Sequence, residues 1–404
     1  MPLAVQKFGG TSVADADRIR SVADHVARTR RAGDDVLVVV SAMGKSTDEL
    51  LRLADDVSNV QPGRELDMLL TAGERISMSL LCMALAELGV KAASFTGSQA
   101  GIITDTEHGR AKILEIRPDR LREALAAGTV PVVAGFQGVS GERDVTTLGR
   151  GGSDTTAVAL AAALGAQRCE IYTDVSGVFS ADPRIVPNAR RLAKVSYEEM
   201  LEIAATGAQV LALRAVEFAR NHEVRLHVRS SFTWEPGTWV VEEDPNMEHP
   251  VVSAVTSDLT QAKVTIAGVP DQPGIAAALF RNLADRHVNV DMIVQNISHA
   301  GTTDISFTVS KSELDEALGV CKALAPSIGA GAVVSDESVA QVSIVGAGMR
   351  THPGVTATMF EALAKAQINI QMISTSPIRI SCMVDAEEAD LAVRVLHEAF
   401  DLSA

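Results

Sequence analysis

Cysteine is scarce in this chain, and the few cysteines lie far apart. Cys82, Cys169, Cys321 and Cys382 form no Cys-X-X-Cys pair and no cluster with histidine. Zinc sites and disulfide frameworks need close, regular spacing, so neither is expected. Each cysteine is better explained as a small core residue.

Basic segments and long apolar segments are missing as well. The net charge is −15 and no basic stripe is visible, which argues against nucleic acid as a partner. The N-terminus lacks a basic region followed by an apolar stretch, so no signal peptide is predicted. No apolar run approaches the roughly 20 residues of a membrane span. We expect a cytoplasmic protein with no membrane partner.

The remaining composition is that of a folded protein with several domains. The 404 residues are too many for one ordinary core and suit two or three domains. Up to about residue 230, strand-like runs at 36–40, 130–134 and 168–173 alternate with helix-like patterns at 48–57, 65–88 and 198–221. This alternation predicts an α/β sheet covered by helices, with ligands at the carboxyl ends of its strands.

A glycine pair near the N-terminus is the first candidate site. Residues 3–5 predict a short buried strand, and a helical pattern starts at Asp15. Between them Gly9 and Gly10 allow the backbone N–H groups to converge on an anion, and Lys7 adds a mobile positive charge. A strand, a glycine loop and a helix suit a phosphate. An ordinary surface turn explains the residues about as well.

A second glycine-rich run, residues 148–154, precedes an alanine-rich helical pattern that ends at Gly165. Ser153 or Asp154 would cap that helix at the positive end of its dipole. Arg150 offers a planar fork that fits a carboxylate or phosphate. Since a capped helix needs neither the arginine nor the glycines, a ligand site is favoured here.

These two runs together resemble the aspartate kinases of the amino-acid kinase superfamily. Further matches, in order along nearly the whole chain, lie at residues 71–77, 94–101, 172–179 and 181–184. Any single motif is shared with glutamate or acetylglutamate kinases, but the set is specific and closest to the actinobacterial aspartate kinases. The resemblance implies the amino-acid kinase fold, a mainly parallel sheet sandwiched by helices.

The resemblance also implies the reaction, in which ATP phosphorylates the side-chain carboxylate of L-aspartate to give 4-phospho-L-aspartate. That carboxylate is ionised at neutral pH, with a reference pKa of about 3.9, so no general base is needed. Catalysis then depends on alignment and on neutralising the phosphoryl charge. Mg²⁺ is expected to bridge the phosphates through water and substrate oxygens, and no protein metal ligand is predicted.

Roles follow for the matched residues. Lys7, Gly9, Gly10 and Ser41 are expected at the phosphates, and Glu74 and Asp154 at the amino group of aspartate. Arg150 would hold its α-carboxylate. The remaining substrate residues are Thr47, Gly151, Gly152 and Ser153, and the nucleotide residues are Thr173, Asp174, Phe179, Ala181, Asp182, Pro183, Arg184 and Gln209. The residues alone favour turns for Asp174 and Asp182, and a helix ion pair would explain Glu74.

Two positions depart from the family pattern. Gln209 stands where many relatives carry a nucleotide-contacting lysine, so ATP affinity could be weaker. Pro377 stands where relatives usually carry glutamate, and proline removes an N–H group as well. This change puts lysine inhibition in doubt, with Asp271 left as a candidate partner for a lysine ammonium.

An internal repeat fills the C-terminal part. Residues 273–284 align with 353–364, and the same shift relates Asn289 to Asn369 and Met292-Ile293 to Met372-Ile373. The repeat resembles tandem ACT domains, small βαββαβ modules that bind amino acids at their interfaces. A duplicated packing module without a ligand is the alternative. We predict a kinase domain at 1–232, a linker at 233–259 and ACT domains at 260–335 and 336–404, which could exchange a strand.

The ACT resemblance implies feedback regulation by lysine, threonine or both. The effector residues would be Asp271, Gly274, Ile275, Ala276, Gln295, Asn369 and Ile370. Relatives make a short second subunit by internal initiation near Met247, so a homodimer or an α2β2 assembly is expected. Such an enzyme starts the route to lysine, threonine, methionine and diaminopimelate. The alternatives are a kinase for another small acidic amino acid and a catalytically weak amino-acid-sensing subunit.

Overall fold

The computed structural model describes residues 1–208, 210–233, 235–243, 250–296 and 301–403. The chain forms two compact units. The first comprises Met1–Val178, Arg191–Ala204 and Gln209–Pro245, and the second comprises Phe179–Arg190, Ala205–Ala208 and Asn246–Ala404. Each unit is described by itself below.

Eight strands form the central sheet of the first unit, in the order β10-β12-β11-β9-β1-β2-β6-β3, and only β11 and β12 pair antiparallel. A smaller sheet has the order β5-β4-β7-β8. The strands up to residue 241 are β1 Leu3–Phe8, β2 Asp35–Val40, β3 Ala92–Phe95, β4 Ile102–Thr104, β5 Ile113–Ile116, β6 Val130–Ala134, β7 Gln137–Ser140, β8 Val145–Thr147, β9 Arg168–Thr173, β10 Lys194–Ser196, β11 Leu226–Ser230 and β12 Thr238–Val241.

The helices in the same stretch of chain are α1 Ala16–Arg31, α2 Ser46–Val57, α3 Gly63–Leu70, α4 Ala72–Glu87, α5 Asp119–Ala126, α6 Gly152–Leu164, α7 Tyr197–Ala205 and α8 Leu213–Asn221. α1 buries one apolar face that includes Ile19, Val22 and Val26, as its periodicity predicts. α6 is buried on all sides from Gly152 to Ala161, which explains its alanine-rich, nearly uncharged sequence. The predicted α/β sheet with helices on its faces is confirmed.

Two of the predicted helices are wrong in extent. The pattern at 65–88 is two helices, α3 and α4, that meet at Thr71. The pattern at 198–221 is also two helices, α7 and α8. Between them Gly207 has a φ of 109° and its backbone approaches the Ser257 carbonyl so closely that a Cβ would lie 2.2 Å from that oxygen. Helical backbone cannot continue through that φ.

The α3–α4 segment differs from the prediction that no apolar run approaches the length of a membrane span. Among the described residues, Gly63–Glu87 is long and apolar enough by length and composition to cross a membrane. Of its most apolar window, 44% is buried within the protein, and a single segment of this kind is weak evidence for a membrane span.

The second unit contains two four-stranded sheets, ordered β15-β16-β14-β17 and β13-β18-β20-β19. Its strands are β13 Ala254–Asp258, β14 Gln261–Pro270, β15 Ile293–Gln295, β16 Thr302–Ser310, β17 Val333–Asp336, β18 Val339–Val345, β19 Met372–Ser376 and β20 Arg379–Asp385. Its helices are α9 Ile275–Asp285, α10 Leu314–Leu324, α11 Val355–Lys365 and α12 Ala389–Ala399. The repeat is visible at α9 and α11, which begin after Gly274 and Gly354 with φ of 97° and 103°.

The two repeats interleave. β14 to β17 with α9 and α10 make one complete βαββαβ module, whereas the other module lacks a last strand of its own. β13, which precedes the first module, fills that edge by pairing antiparallel with β18. The predicted linker 233–259 is therefore wrong at two places, because it contains β12 as well as β13. Both are short strands next to Pro and Gly residues, which hid them in the sequence.

A segment from the middle of the chain completes the same core. Ala181 and Val186 belong to the apolar cluster of the second module, together with Val255, Met359 and Leu396. Ser180 bonds to His397 Nε2 at 2.9 Å and donates to the Leu402 carbonyl at 3.0 Å. The segment 179–190 is thus built into the second unit, although it lies between β9 and β10 in sequence.

We predict that fragment 250–404 is more stable than fragment 260–404, which lacks β13. Removing β13 exposes the edge of β18 and deletes the buried side chains of Ala254 and Val255. The apparent Tm should fall by at least roughly 5 °C, measured by circular dichroism. Both fragments lack 179–190, so that loss cancels. Leu259→Ala in the longer fragment, at a 47% exposed position, is the control and should change little. Equal Tm values for the two fragments would contradict the interleaved sheet.

Candidate functional site

An open cavity of about 340 Å³ lies where β1, β2 and α6 end or begin. It is in the size range of small-molecule sites. Ten of the sequence-predicted residues line it: Lys7, Gly10, Ser41, Thr47, Glu74, Arg150, Gly151, Gly152, Ser153 and Asp154. The two glycine-rich runs, more than a hundred residues apart in sequence, therefore meet at one place.

An ion pair joins the two runs across this cavity. Lys7 Nζ lies 2.6 Å from Asp154 Oδ1, and the two side chains are only 12% and 11% exposed. Lys7 is the penultimate residue of β1, and Asp154 is in the first turn of α6, where the helix dipole favours negative charge. Removing one partner of such a sheltered pair costs about 3–5 kcal/mol, because the other charge stays desolvated.

Glycine is required where backbones approach at the cavity wall. A Cβ on Gly10 would lie 3.0 Å from the Ala42 carbonyl oxygen. A Cβ on Gly151 would lie 2.3 Å from that of Ala212, and Gly151 has a φ of 73°. These glycines open the backbone beside Lys7 and at the N-terminus of α6. The Gly152 and Asp154 N–H groups donate to the Gly149 and Gly151 carbonyls, so the attraction for an anion here comes mainly from the helix dipole.

Glu74 brings a buried carboxylate with a free oxygen. The side chain, in the first turn of α4, is 3% exposed, and Oε1 accepts a hydrogen bond of 3.2 Å from the Ala42 N–H. Oε2 has no hydrogen-bond partner among the described residues. Burial raises the pKa of Glu74 to about 7, partly offset by its backbone hydrogen bonds. A cationic ligand group would satisfy this oxygen and hold the carboxylate ionised.

Arg150 supplies the opposite charge at the other side. It lies between Gly149 and Gly151, is exposed, and forms no ion pair within the described ranges. Its guanidinium fork therefore remains available for a carboxylate or phosphate of a ligand. A free anionic oxygen and a free cationic fork in one cavity suit a ligand that carries both an ammonium and a carboxylate.

Hydroxyl groups complete the wall. Ser41 follows β2, and its carbonyl accepts a 2.7 Å hydrogen bond from the Ser77 hydroxyl of α4. Sequence reasoning missed four further lining residues: Ala42, Gly44, Phe136 and Gly149. Gly149 stands inside the glycine-rich run 148–154 and could have been found from it. Phe136 has a φ of 70°, which nothing in the sequence indicates for an aromatic residue.

The predicted nucleotide residues do not line this cavity. Thr173 and Asp174 stand at the end of β9, where the Thr173 hydroxyl donates to Asp174 at 3.1 Å. Phe179, Ala181, Asp182, Pro183 and Arg184 belong to segment 179–190 of the second unit. Asp182 accepts from the Arg184 N–H and guanidinium, which holds its pKa below the usual range, so it does occupy a turn. Gln209 lies outside the described residues.

The predicted effector residues occupy both modules of the second unit. Asp271, Gly274, Ile275 and Ala276 surround the start of α9, and Gln295 ends β15. Asn369 and Ile370 precede β19. Pro377 lies exposed in the turn between β19 and β20, where no ladder hydrogen bond needs its missing N–H. The hairpin therefore accommodates proline without loss. Met247 lies outside the described residues.

Comparisons with known proteins agree with this architecture. A model of the amino acid kinase family matches residues 2–230, and a model of the ACT domain matches residues 264–323 and 342–400. An aspartokinase of Mycolicibacterium smegmatis is 58% identical over 407 aligned residues, covering 100% of this chain and 97% of the relative. The chain belongs to the aspartokinase family.

Solved structures of this family share the fold. E. coli aspartokinase III in complex with aspartate and ADP, in the R-state, matches with a TM-score of 0.85 at 27% identity, over 98% of this chain and 99% of that chain. The T-state complex of aspartokinase III with lysine and aspartate matches with a TM-score of 0.76 at the same identity and coverage.

The pKa of Glu74 predicts the pH dependence of aspartokinase activity. Below pH 7 the buried carboxylate takes up a proton and no longer attracts an ammonium group. The kcat/KM for aspartate should therefore fall about tenfold between pH 8 and pH 6. Because bound ammonium favours the ionised form, kcat should fall less. Glu74→Gln should give a low kcat/KM without this acid limb, measured by initial rates. An unchanged acid limb in the variant would assign the titration to another group.

Proposed function

We propose that this chain transfers the γ-phosphoryl group of ATP to the side-chain carboxylate of L-aspartate, as an aspartate kinase under allosteric control by lysine. One observation carries the proposal: a Glu74 oxygen and the Arg150 guanidinium, both without a partner among the described residues, line one cavity beside the Lys7–Asp154 ion pair. The carboxylate of Glu74 suits the ammonium group of an amino acid, and the guanidinium of Arg150 suits its α-carboxylate. Lys7 suits a phosphate. The aspartokinase relatives and the aspartate complexes of the neighbouring structures support the same substrate.

Arg150 would bind the α-carboxylate of aspartate, and Glu74 and Asp154 would bind its ammonium. This leaves the side-chain carboxylate as the free end of the substrate, directed at the phosphates. It is already ionised, so the protein need not remove a proton before the attack. The contribution of the chain is alignment of a carboxylate oxygen with the γ-phosphorus.

Charge neutralisation is the second contribution. Lys7 would supply the positive charge at the phosphates, and the Gly10 N–H, the Ser41 hydroxyl and the N-terminus of α6 would add partial positive charge. The Gly9 N–H donates to the Tyr172 carbonyl at 3.1 Å and fixes the turn. The ion pair with Asp154 restrains the flexible lysine side chain before ATP arrives. Less rotamer freedom is then lost when Lys7 meets the phosphates.

Mg²⁺ would lower the negative charge of the phosphates and orient them. The described residues contain no group of three or more His, Cys, Asp or Glu side chains able to hold a metal ion. We propose that Mg²⁺ would be bound largely through phosphate oxygens and water, as it commonly is in nucleotide sites. Thr173, Asp174, Phe179, Ala181, Asp182, Pro183, Arg184 and Gln209 remain the proposed nucleotide contacts.

We propose that the two ACT modules carry the regulation, with lysine, threonine or both as effectors that bind around Asp271, Gly274, Ile275, Ala276, Gln295, Asn369 and Ile370. The lysine complex of aspartokinase III supports lysine. We further propose a cytoplasmic homodimer, or an α2β2 assembly with a short subunit that starts near Met247. A subunit starting there would contain β13, which the second module needs.

The proposed reaction is tested by aspartate-dependent ADP release with hydroxylamine trapping of the acyl phosphate, with and without lysine plus threonine. Turnover that lysine suppresses supports the regulated kinase, and glutamate should neither replace aspartate nor compete with it. Absence of turnover with aspartate would contradict the proposal and favour a sensing subunit or another substrate. Absence of any hydroxamate while ADP appears would indicate hydrolysis of ATP alone.

Arg150→Lys should raise the KM for aspartate by roughly 10- to 100-fold and leave the KM for ATP within about twofold. Lysine keeps the charge but loses the two parallel N–H donors that match a carboxylate. Arg52→Lys on the exposed face of α2 is the matched control and should behave as the parent. Equal increases in both KM values would place Arg150 at the phosphates instead.

A further inference from the structure

Asp67 is a buried carboxylate outside the cavity wall that the proposed mechanism does not use. It lies on α3 and is 1% exposed. A carboxylate so deeply buried survives in a fold only where hydrogen bonds replace its water. The donors that surround Asp67 therefore indicate which part of the fold depends on it.

Three residues from two separate segments donate to this carboxylate. The Gly109 N–H reaches Oδ1 and Oδ2 at 3.1 and 3.2 Å, and His108 Nδ1 lies 2.7 Å from Oδ2. The Thr147 N–H reaches Oδ2 at 3.1 Å, and the Thr147 hydroxyl donates to Oδ1. Both oxygens are thus saturated by donors from the loop before β5 and from the end of β8.

A second clamp acts on the same two segments from the other direction. Arg214 of α8 donates to the Leu148 carbonyl at 3.0 Å and to the Ala111 carbonyl at 2.9 Å. The Ala111 N–H in turn donates to the Thr147 carbonyl at 2.8 Å. The Thr147 N–H, the Thr147 carbonyl and the Leu148 carbonyl are therefore all hydrogen-bonded. These groups lie directly before Gly149 and Arg150 in the chain.

The glycine at this junction shows how close the two segments lie. A Cβ on Gly149 would be 3.0 Å from the Gly109 carbonyl oxygen, and Gly149 has a φ of 78°. Gly109 is itself bound to Asp67. Gly149, at the start of the Arg150 loop, thus packs against the backbone of Gly109, and the Asp67 carboxylate fixes that backbone by hydrogen bonds.

We propose that Asp67 is a positioning residue for the substrate carboxylate: by tying Gly109 to Thr147 it fixes the loop that presents Arg150. The inference rests on the proposed role of Arg150. Asp67 and Glu74 lie on consecutive helices, α3 and α4, seven residues apart. The two helices therefore position both groups of bound aspartate. Glu74 on α4 would contact the ammonium directly, and Asp67 on α3 would act on the α-carboxylate through the Arg150 loop.

Asp67→Asn tests the proposal with two readouts. An amide accepts at one oxygen only, so its NH₂ group must face N–H or O–H donors at the other position. The KM for aspartate should rise about tenfold, since small misplacements of a binding group weaken alignment, while the KM for ATP stays within about twofold. Amide hydrogen exchange of 147–152 should become faster, and exchange of β1 and β2 should not change.

Thr147 provides a matched pair of variants in case the asparagine chain does not fold. Thr147→Val keeps the branched shape and removes only the hydroxyl donor, so it should raise the KM for aspartate in the same direction by a smaller factor. Thr147→Ser keeps the hydroxyl and should restore both the parental KM and the parental exchange rate.

A folded Asp67→Asn chain with parental KM for aspartate and parental exchange at 147–152 would overturn the proposal. Equal increases in both KM values, or Thr147→Val and Thr147→Ser behaving alike, would overturn it too and leave Asp67 a purely structural group. If the parent chain shows no aspartate-dependent turnover, the proposed function fails. The exchange comparison then still decides whether Asp67 orders the loop.

Discussion

The ion pair between Lys7 and Asp154 is the contact on which the candidate site depends. It is the point where the first strand of the sheet meets the helix that is buried deepest in it. Both side chains are largely withdrawn from water, so their mutual attraction offsets the loss of hydration. The pair places a cation at the mouth of a glycine turn and an anion at a helix N-terminus. Phosphate and ammonium groups of the substrates then meet charges that are already oriented.

Around this pair the shape of the site depends mainly on close contacts between backbone segments. Gly10 and Gly151 allow close approaches that any Cβ would block. The surrounding N–H groups are fixed by secondary structure and need little reorganisation when charge moves during phosphoryl transfer. Two side chains that face the cavity are left partly unsatisfied by the described residues: Glu74 keeps one oxygen without a hydrogen bond, and Arg150 forms no ion pair. These are places where the ligand, and not the protein, completes the hydrogen bonding.

The C-terminal unit follows a different logic. Its two modules are repeats in sequence, yet only the first has all four strands of its own, since β13 from before the first repeat completes the sheet of the second. Segment 179–190 fills the same core from still earlier in the chain. The proposed nucleotide residues Phe179 to Arg184 are therefore part of the regulatory unit by packing, although they follow β9 of the kinase sheet without a break.

Short-range sequence patterns predicted many of the helices, strands and loops of this protein. The periodicity of α1, the apolar runs of β2 and β6 and both glycine loops are readable from the sequence because each depends on neighbours within a few residues. The ACT repeat is readable because two segments of the chain have similar sequences. Folding decided what depends on distant partners. The break between α7 and α8 follows from the approach of Gly207 to Ser257, and β13 is a strand only because β18 offers an open edge. The pKa of Glu74, the positive φ of Phe136 and the burial of Asp67 also arise from segments remote in sequence. The sequence thus identified most of the residues that line the site. Desolvation and long-range hydrogen bonds exist only in the folded chain, and they determine the charge and the geometry of the site.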